Sequence, residues 1–140
     1  MQLEEIEGIL AAALPMRTPS FPEGTRAAEK IPKLEDYMLA SAQAAGELCE
    51  ARHWLRLLDE KLREDWGRVA GYEIALPSDK SRDRITKADV QAAKITVAPQ
   101  LYDAGQRVVS LMASVEEQLA RFEREEKVVS RVYTMISGGS

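Results

Sequence analysis

Apolar positions recur at helical spacing along most of the chain. Near the start they share one face: Leu3, Ile6, Ile9, Leu10 and Leu14. This spacing predicts a short amphipathic helix over residues 1–14, which Pro15 ends. Residues 15–30 combine Pro, Gly, Ser and Thr without an apolar period. We therefore predict that they form a linker or an extended arm with no core of its own.

A second pattern predicts one long helix over residues 32 to about 70. Its apolar positions recur at intervals of three, four and seven on a single stripe: Leu34, Tyr37, Met38, Ala42, Ala45, Leu48, Cys49, Leu55, Leu58, Leu62, Trp66 and Val69. The opposite face is predominantly charged, as expected of a solvated surface. Gly71 has the position of a C-terminal cap. Because Cys49 falls on the stripe, we interpret it as a small core residue and not as a nucleophile.

A short polar tip follows the long helix. Tyr72, Ile74 and Leu76 alternate with other residues, which permits a short strand or an extended tip that is too short to define a sheet. Thr86 and Asp89 have the spacing of a capping box, with Asp in place of Glu. We therefore predict that another helix begins directly after Thr86.

The last third of the chain is also helical in pattern. Pro99 either occupies the first turn of a new helix or kinks a continuous one, and the sequence leaves both readings open. Beyond it runs a near-heptad seam of apolar residues: Leu101, Ala104, Val108, Leu111, Val115, Leu119 and Phe122. The seam breaks at Glu125 and Glu126 and resumes at Val129, so a second long amphipathic helix is predicted here.

Together these patterns predict an all-α fold. We expect a long antiparallel helical hairpin over residues 31–140, preceded by a short N-terminal helix and extended arm over residues 1–30, within a single domain. A hairpin leaves several large apolar side chains uncovered: Trp54, Trp66, Tyr102 and Val109. We expect a homo-oligomer to cover them. The alternative is a monomer in which residues 1–14 fold back as a third helix.

Composition excludes several protein classes. The chain has 140 residues, one Cys, one His and a net charge of −4. A single Cys cannot form an internal disulfide, and one Cys with one His does not make a conventional zinc site. The apolar runs are too short to cross a bilayer and the N-terminus lacks a basic signal-peptide region. We therefore expect no membrane partner and a cytoplasmic location.

No catalytic pattern is visible in the sequence. There is no nucleophile elbow, no phosphate-binding loop and no dinucleotide fingerprint. His53 has no identifiable partner for acid–base work, so we interpret it as a surface or interface side chain. We expect a protein that is not an enzyme and that needs neither a cofactor nor a metal.

The acidic charge is unevenly distributed. Residues 1–36 hold four basic and seven acidic side chains, which accounts for −3 of the net charge, whereas residues 72–96 hold five basic and four acidic ones. The aromatic residues Trp66 and Tyr72 are interleaved with basic side chains in this part of the chain. Cations for phosphates beside rings for stacked bases are typical of proteins that bind single strands. The alternative interpretation is an ordinary solvated helix end.

Several short segments resemble the UvsY-type recombination mediators of tailed phages. They occur in the same order as similar patterns in that family: MQLEEI (residues 1–6), IPKL (31–34), KLREDWGR (61–68), the pair at 88–89 followed by Lys94, and the tail 128–139. The resemblance extends over nearly the whole chain. In that family a Lys-x-Arg pair followed by aromatic residues and a Gly contributes to binding single-stranded DNA, and the matching positions here are Lys61 and Arg63.

The resemblance implies a function without catalysis. Such a protein forms oligomeric rings, binds single-stranded DNA, remodels the coat of single-strand binding protein and helps a RecA-like recombinase to nucleate its filament. We therefore expect the DNA path to include Lys61, Arg63, Trp66, Arg68 and Lys87. A competing hypothesis is a structural or adaptor protein of a virion or assembly complex, in which the helical hairpin makes protein contacts only.

Overall fold

The computed structural model describes residues 1–69 and 76–138, and within them every regular element is helical. The elements are α1 (Leu3–Ala13), α2 (Ala27–Arg68), α3 (Lys87–Val97) and α4 (Pro99–Gly138), with one 3₁₀ turn at Arg82–Arg84. The two long helices, α2 and α4, pack together. The prediction of an all-α fold is confirmed. The predicted cap at Gly71 and the alternation at Tyr72 and Ile74 lie outside the described residues.

The chain divides into two compact units. The first unit comprises Met1–Trp54 and Leu111–Ser140, and the second comprises Leu55–Ser110. The first unit therefore contains α1 and the larger parts of the two long helices. The second contains the end of α2, all of α3 and the beginning of α4.

A heptad seam forms the core of the first unit. On α2 the buried residues Leu34, Ser41 and Leu48 are seven residues apart, and on α4 Val115, Phe122 and Val129 follow the same interval. A strict interval of seven keeps one face of each helix toward its neighbour, as in coiled-coil packing. The apolar pattern of the sequence therefore predicts most of the buried positions of this unit. Ser41 is the exception: it is buried, but the pattern does not include it because it is polar.

Helix α1 packs inside the first unit through Ile6, Leu10 and Ala13, which are at most 6% exposed. Residues 1–14 thus fold back as a third helix, as the monomer alternative proposed. The buried face agrees with the predicted one at Ile6 and Leu10. It differs at the C-terminal end of the helix, where Ala13 is buried and the predicted Leu14 is 49% exposed. Helix α1 ends at Ala13, so Leu14 already belongs to the turn that leads into the arm.

The arm between α1 and α2 is anchored by an aromatic side chain. Phe21 packs on a cluster formed by Leu34, Tyr37 and Val129, and a turn follows in which the Thr25 N–H donates to the Pro22 carbonyl over 3.2 Å. Gly24 has φ 86° at the third position of this turn, a backbone conformation that glycine adopts without strain. The arm is therefore fixed to the first unit by Phe21 and a hydrogen-bonded turn.

Helix α2 begins at Ala27, about one turn before the predicted start. The Arg26 carbonyl accepts hydrogen bonds from the Glu29 and Lys30 N–H groups, which opens the helix ahead of Pro32. Proline is best tolerated in a first turn, where N–H groups have no intrahelical partner. Here the helix accommodates Pro32 in its second turn, which the sequence rule does not anticipate.

The break in the apolar seam at Glu125 is filled by a polar network. Tyr37 donates a hydrogen bond to the Glu125 carboxylate, and the Arg121 guanidinium lies 3.2 Å from the same carboxylate. Burial and the Glu125 charge raise the pKa of the Tyr37 hydroxyl, so it stays protonated as the donor. The contacts between α2 and α4 run in opposite order along the two helices, from Tyr133 with Glu35 to Glu116 with Arg52.

In the second unit, Pro99 is the first residue of α4. Helix α3 ends at Val97, and the Ala98 N–H still donates to the Lys94 carbonyl over 2.9 Å. Pro99 therefore starts a new helix, which decides the alternative that the sequence left open. The predicted capping box is confirmed: the Asp89 N–H donates to the Thr86 hydroxyl and the Thr86 N–H donates to the Asp89 carboxylate, over 3.2 and 2.9 Å.

Candidate nucleic-acid interface

Four of the five predicted DNA-binding residues lie on the last two turns of α2. At about 100° per residue, Arg63 and Trp66 share one face of the helix, whereas Lys61 and Arg68 share the opposite face. The structure therefore brings Arg63 together with Trp66 and separates both from Lys61. All three basic side chains are exposed, while Trp66 is partly buried.

The face with Arg63 and Trp66 borders a cleft of about 230 Å³ inside the second unit. Three helices contribute to it: α2, α3 and α4. Its lining is mixed in character, with aromatic, amide and charged groups in addition to aliphatic ones: Asp59, Leu62, Arg63, Trp66, Val90, Gln91, Lys94, Tyr102, Gly105, Gln106 and Val109. A concave site with aromatic walls and a few polar groups is the usual form of a small binding site.

Lys94 and Trp66 make the most specific contact in the cleft. The Lys94 ammonium lies over the Trp66 ring, 4.9 Å from its centroid, which is within the range of a cation–π interaction. This contact joins α3 to α2 and places a positive charge directly on an aromatic face. The pair offers a cation for a phosphate and, next to it, an aromatic face for the base of the same nucleotide.

Arg63 forms an ion pair with Asp59, one turn earlier on α2. The Arg63 guanidinium is 3.2 Å from the Asp59 carboxylate, and the Arg63 side chain is 80% exposed. Exposed ion pairs of this kind contribute little to stability, because water screens them and two long side chains lose freedom. Arg63 can therefore exchange Asp59 for a phosphate at low energetic cost.

Lys87 lies on the first turn of α3, seven residues before Lys94 and on the same helix face. It lines a shallow depression together with Val90 and Gln91, and both of these residues also border the Trp66 cleft. Lys87 thus extends the positive side of the cleft along α3. Of the five predicted residues, Arg63 and Trp66 line the cleft and Lys87 lines the neighbouring depression.

The basic residue Lys80 has a structural partner. Its ammonium lies 3.0 Å from the Asp89 carboxylate, which also accepts the Thr86 N–H of the helix cap. The backbone hydrogen bond from Thr86, with the Lys80 ammonium beside it, holds the pKa of Asp89 below its ordinary value. Lys80 therefore serves to fix the start of α3, and the local count of basic residues overstates the charge available to a ligand.

Lys94 and Tyr102 are functional candidates that the sequence did not place in the site. In the sequence, Lys94 is one of the five basic residues of segment 72–96 and part of the family resemblance, and Tyr102 is a residue of the apolar surface. The signal that relates them is periodicity: Tyr102, Gln106 and Val109 share one face of α4, and Lys94 shares a face of α3 with Val90. Sequence alone cannot relate those faces to α2, because that depends on how three helices pack.

The described residues were also compared with the requirements of a membrane-spanning helix and of a metal site. Across residues 1–69 and 76–138, none of the helices combines the length and the hydropathy that crossing a membrane requires. Within the same ranges, no three His, Cys, Asp or Glu side chains are grouped so that they could hold a metal ion. Cys49, predicted to lie in the core, is instead exposed, because Leu48 and Ala51 occupy the seam on either side of it.

Comparison of this chain with models of protein families, with characterised proteins and with solved structures finds no match.

Proposed function

We propose that this protein binds single-stranded nucleic acid through its second unit. The observation that carries the proposal is the Lys94 ammonium over the Trp66 ring in a cleft that Arg63 also lines. This arrangement supplies what a strand of any sequence offers at each nucleotide, a phosphate charge and a flat base. Lys87 on α3, and Lys61 and Arg68 on the other face of α2, offer further phosphate contacts.

The biological role we propose is that of a recombination mediator in a phage. The protein binds single-stranded DNA, weakens the coat of single-strand binding protein and promotes loading of a RecA-like recombinase. It acts by binding and not as an enzyme, and it needs no cofactor. The support for this role is the ordered set of segments similar to UvsY-type mediators, combined with the basic and aromatic cleft of the second unit.

The proposal includes a helical hairpin that assembles as a homo-oligomer. The hairpin is supported by the opposite order of the contacts between α2 and α4. Assembly is supported by large apolar side chains that the single chain leaves exposed, of which Leu39, Val128 and Met135 are 65%, 59% and 70% exposed. Repetition of a weak DNA-binding cleft in an oligomer increases the avidity for a long strand.

Binding of a labelled oligonucleotide tests the proposal directly. We expect the wild-type protein to bind a single strand at low salt and more weakly at moderate salt, because phosphate contacts release counterions. The double variant Lys61→Ala, Arg63→Ala removes the pair that the family resemblance marks and should bind more weakly. The matched control Arg124→Ala, Arg131→Ala removes the same charge from the first unit and should bind as the wild type does.

A second assay addresses the mediator role. Single strands coated with single-strand binding protein are offered to a RecA-like recombinase, and the lag before filament growth is measured with and without this protein. A shorter lag supports the role. An unchanged lag, with DNA binding intact, would leave a DNA-binding protein that is not a mediator.

An adaptor protein is the second candidate function. The exposed residues Leu39, Val128 and Met135 favour it, since apolar surface of this kind also suits a contact with a different protein. A native mass measurement separates the candidates. A homo-oligomer that persists on single-stranded DNA supports the mediator, whereas a monomer that binds no DNA supports the adaptor.

A further inference from the structure

We infer that the cleft of the second unit holds one unpaired base, stacked on Trp66 and bordered by Tyr102. This inference rests on the proposed function and deepens it, because it names the part of the nucleic acid that the cleft recognises. It concerns the base and not the phosphate backbone. A protein that binds strands only through phosphates has no need of this cleft.

The arrangement of the two aromatic side chains provides the first argument. Trp66 on α2 and Tyr102 on α4 both line the cleft, yet Tyr102 makes no ring contact with any aromatic residue among those described. The cleft is thus bounded by two aromatic walls that do not fill it by stacking on each other. A flat, aromatic ligand gains contact with such walls, and stacking of a base on an aromatic side chain contributes about 1–3 kcal/mol.

The size of the cleft provides the second argument. Its volume of about 230 Å³ lies below the roughly 300–1,000 Å³ of pockets that hold drug-sized ligands. A cleft of this size suits a single heterocyclic base, which is smaller than a drug-sized ligand. A base in a duplex is stacked on both sides and paired at its edge. To enter the cleft it must leave the duplex, which costs the free energy of unstacking and unpairing. A base of a single strand does not bear this cost, so we expect the cleft to bind single strands more tightly than duplexes.

The polar lining provides the third argument. Gln91 and Gln106 contribute amide groups, each of which donates and accepts hydrogen bonds. Because an amide can turn to offer either its donor or its acceptor, these side chains can match the polar edge of any base. Such a site binds without strong preference for sequence, as a protein that coats or remodels a strand requires.

Lys94 links the base to its phosphate. The Lys94 ammonium lies over the Trp66 ring, 4.9 Å from its centroid. A base that stacks on that ring takes its place, and the flexible lysine stem allows the ammonium to move to the phosphate of the same nucleotide.

Trp66 fluorescence tests this inference without disturbing the cleft. The chain has two tryptophans, and the variant Trp54→Phe leaves Trp66 as the single reporter. This full-length variant is titrated with an oligothymidylate and, in parallel, with an abasic strand of the same length. Anisotropy of a label on the strand reports binding, while Trp66 emission reports stacking. We expect the oligothymidylate to quench Trp66 and the abasic strand to leave its emission nearly unchanged.

Substitution of Trp66 provides the quantitative check. Trp66→Ala should weaken binding of the oligothymidylate roughly five- to 150-fold, which is the stacking contribution expressed as an affinity. It should hardly change binding of the abasic strand. The matched control Trp54→Ala removes a tryptophan of the first unit and should bind as the wild type does.

The outcomes separate the inference from the proposed function. If both strands bind equally well and Trp66 emission does not change, the cleft is not a base site, and single-strand binding through phosphates stands without it. If neither strand binds at low salt, the proposed function fails and the inference fails with it. If only the oligothymidylate quenches Trp66 and binds more tightly, both are supported.

Discussion

The guanidinium of Arg121 donates a hydrogen bond of 2.8 Å to the carbonyl oxygen of Ala13, the last residue of α1. A second bond, of 2.7 Å, reaches the Met16 carbonyl just beyond. The last carbonyl groups of a helix have no partner within it and carry the negative end of the helix dipole. Arg121 therefore adds a charged donor to each of these two carbonyl groups, and it fixes the end of α1 to α4.

The first prediction concerns this contact. Arg121→Ala should lower the free energy of unfolding by about 2–3 kcal/mol, because it removes several charge-assisted hydrogen bonds from a partly buried network. It should also loosen the contact of α1 with α4, since the carbonyl groups of Ala13 and Met16 keep only the donors from Met16 and Arg17, which lie close to them in sequence. Urea unfolding measures the first effect, and hydrogen exchange of the α1 amides measures the second.

Arg124→Ala is the matched control for that prediction. Arg124 lies on the same helix and is exposed, so its removal should change the stability by less than about 0.5 kcal/mol. Equal stability losses in the two variants would show that Arg121 acts only through helix propensity. The network would then have no role in holding α1.

The second prediction concerns Pro32, which lies in the second turn of α2 and lacks the N–H that a helix interior uses. Pro32→Ala should raise the free energy of unfolding by about 1–2 kcal/mol: the helix gains a hydrogen bond, while the more flexible unfolded chain offsets part of the gain. Urea unfolding measures the change, with Lys33→Ala as the control. A loss of stability would mean that Pro32 fixes the junction between the arm and the helix.

The third prediction follows from the hydrogen bond that Tyr37 donates to Glu125. Tyr37→Phe should lower the free energy of unfolding by about 1–2 kcal/mol near neutral pH, because the Glu125 carboxylate loses a donor. The pKa of Tyr37 is raised in the folded protein, so its contribution is complete below about pH 10 and declines as the pH rises beyond that value. The stability difference between wild type and variant should therefore shrink in strong alkali. A constant difference would contradict the assignment.

The fourth prediction concerns the start of α3. The pKa of Asp89 is lowered in the folded protein, chiefly by the Thr86 N–H and then by Lys80. Its contribution is therefore present above its ordinary pKa, close to 4, and is lost as the pH falls below that value. Acidification should lower the protection of the Asp89 and Val90 amides in the wild type, where protection is the exchange rate corrected for the intrinsic effect of pH on exchange. Asp89→Ala should exchange fast already at neutral pH, and a persistent pH dependence in this variant would assign the effect to another group.

Local rules account for most of the fold. The heptad positions, the capping box at Thr86 and the end of α1 near Pro15 follow from interactions between residues close in sequence, so the sequence predicts them. The start of α2 at Ala27 does not follow, because the rule that favours proline in a first turn places the start near Pro32, five residues too late. The polar break at Glu125 was visible, but its partner Tyr37 lies 88 residues away.

The candidate site is less predictable than the fold. The spacing between Lys61 and Arg63 suggests a pair, yet a helix turns about 200° over two residues and places them on different faces. Arg63 instead joins Trp66 and Lys94, and that grouping depends on how α2, α3 and α4 pack. The sequence therefore predicts candidate residues, and the packing of three helices decides which of them lie together.

The salt dependence of single-strand binding tests the central claim most directly. The affinity for a labelled oligothymidylate is measured over a range of salt concentrations for the wild type, for Arg63→Ala, Lys87→Ala, and for the control Arg124→Ala, Arg131→Ala. The account predicts salt-sensitive binding by the wild type and the control, and weaker binding by the cleft variant with a log–log slope reduced by about 1.4, at about 0.7 per lost phosphate contact. Absence of salt-sensitive binding by the wild type, or an equal loss in the control, would contradict it.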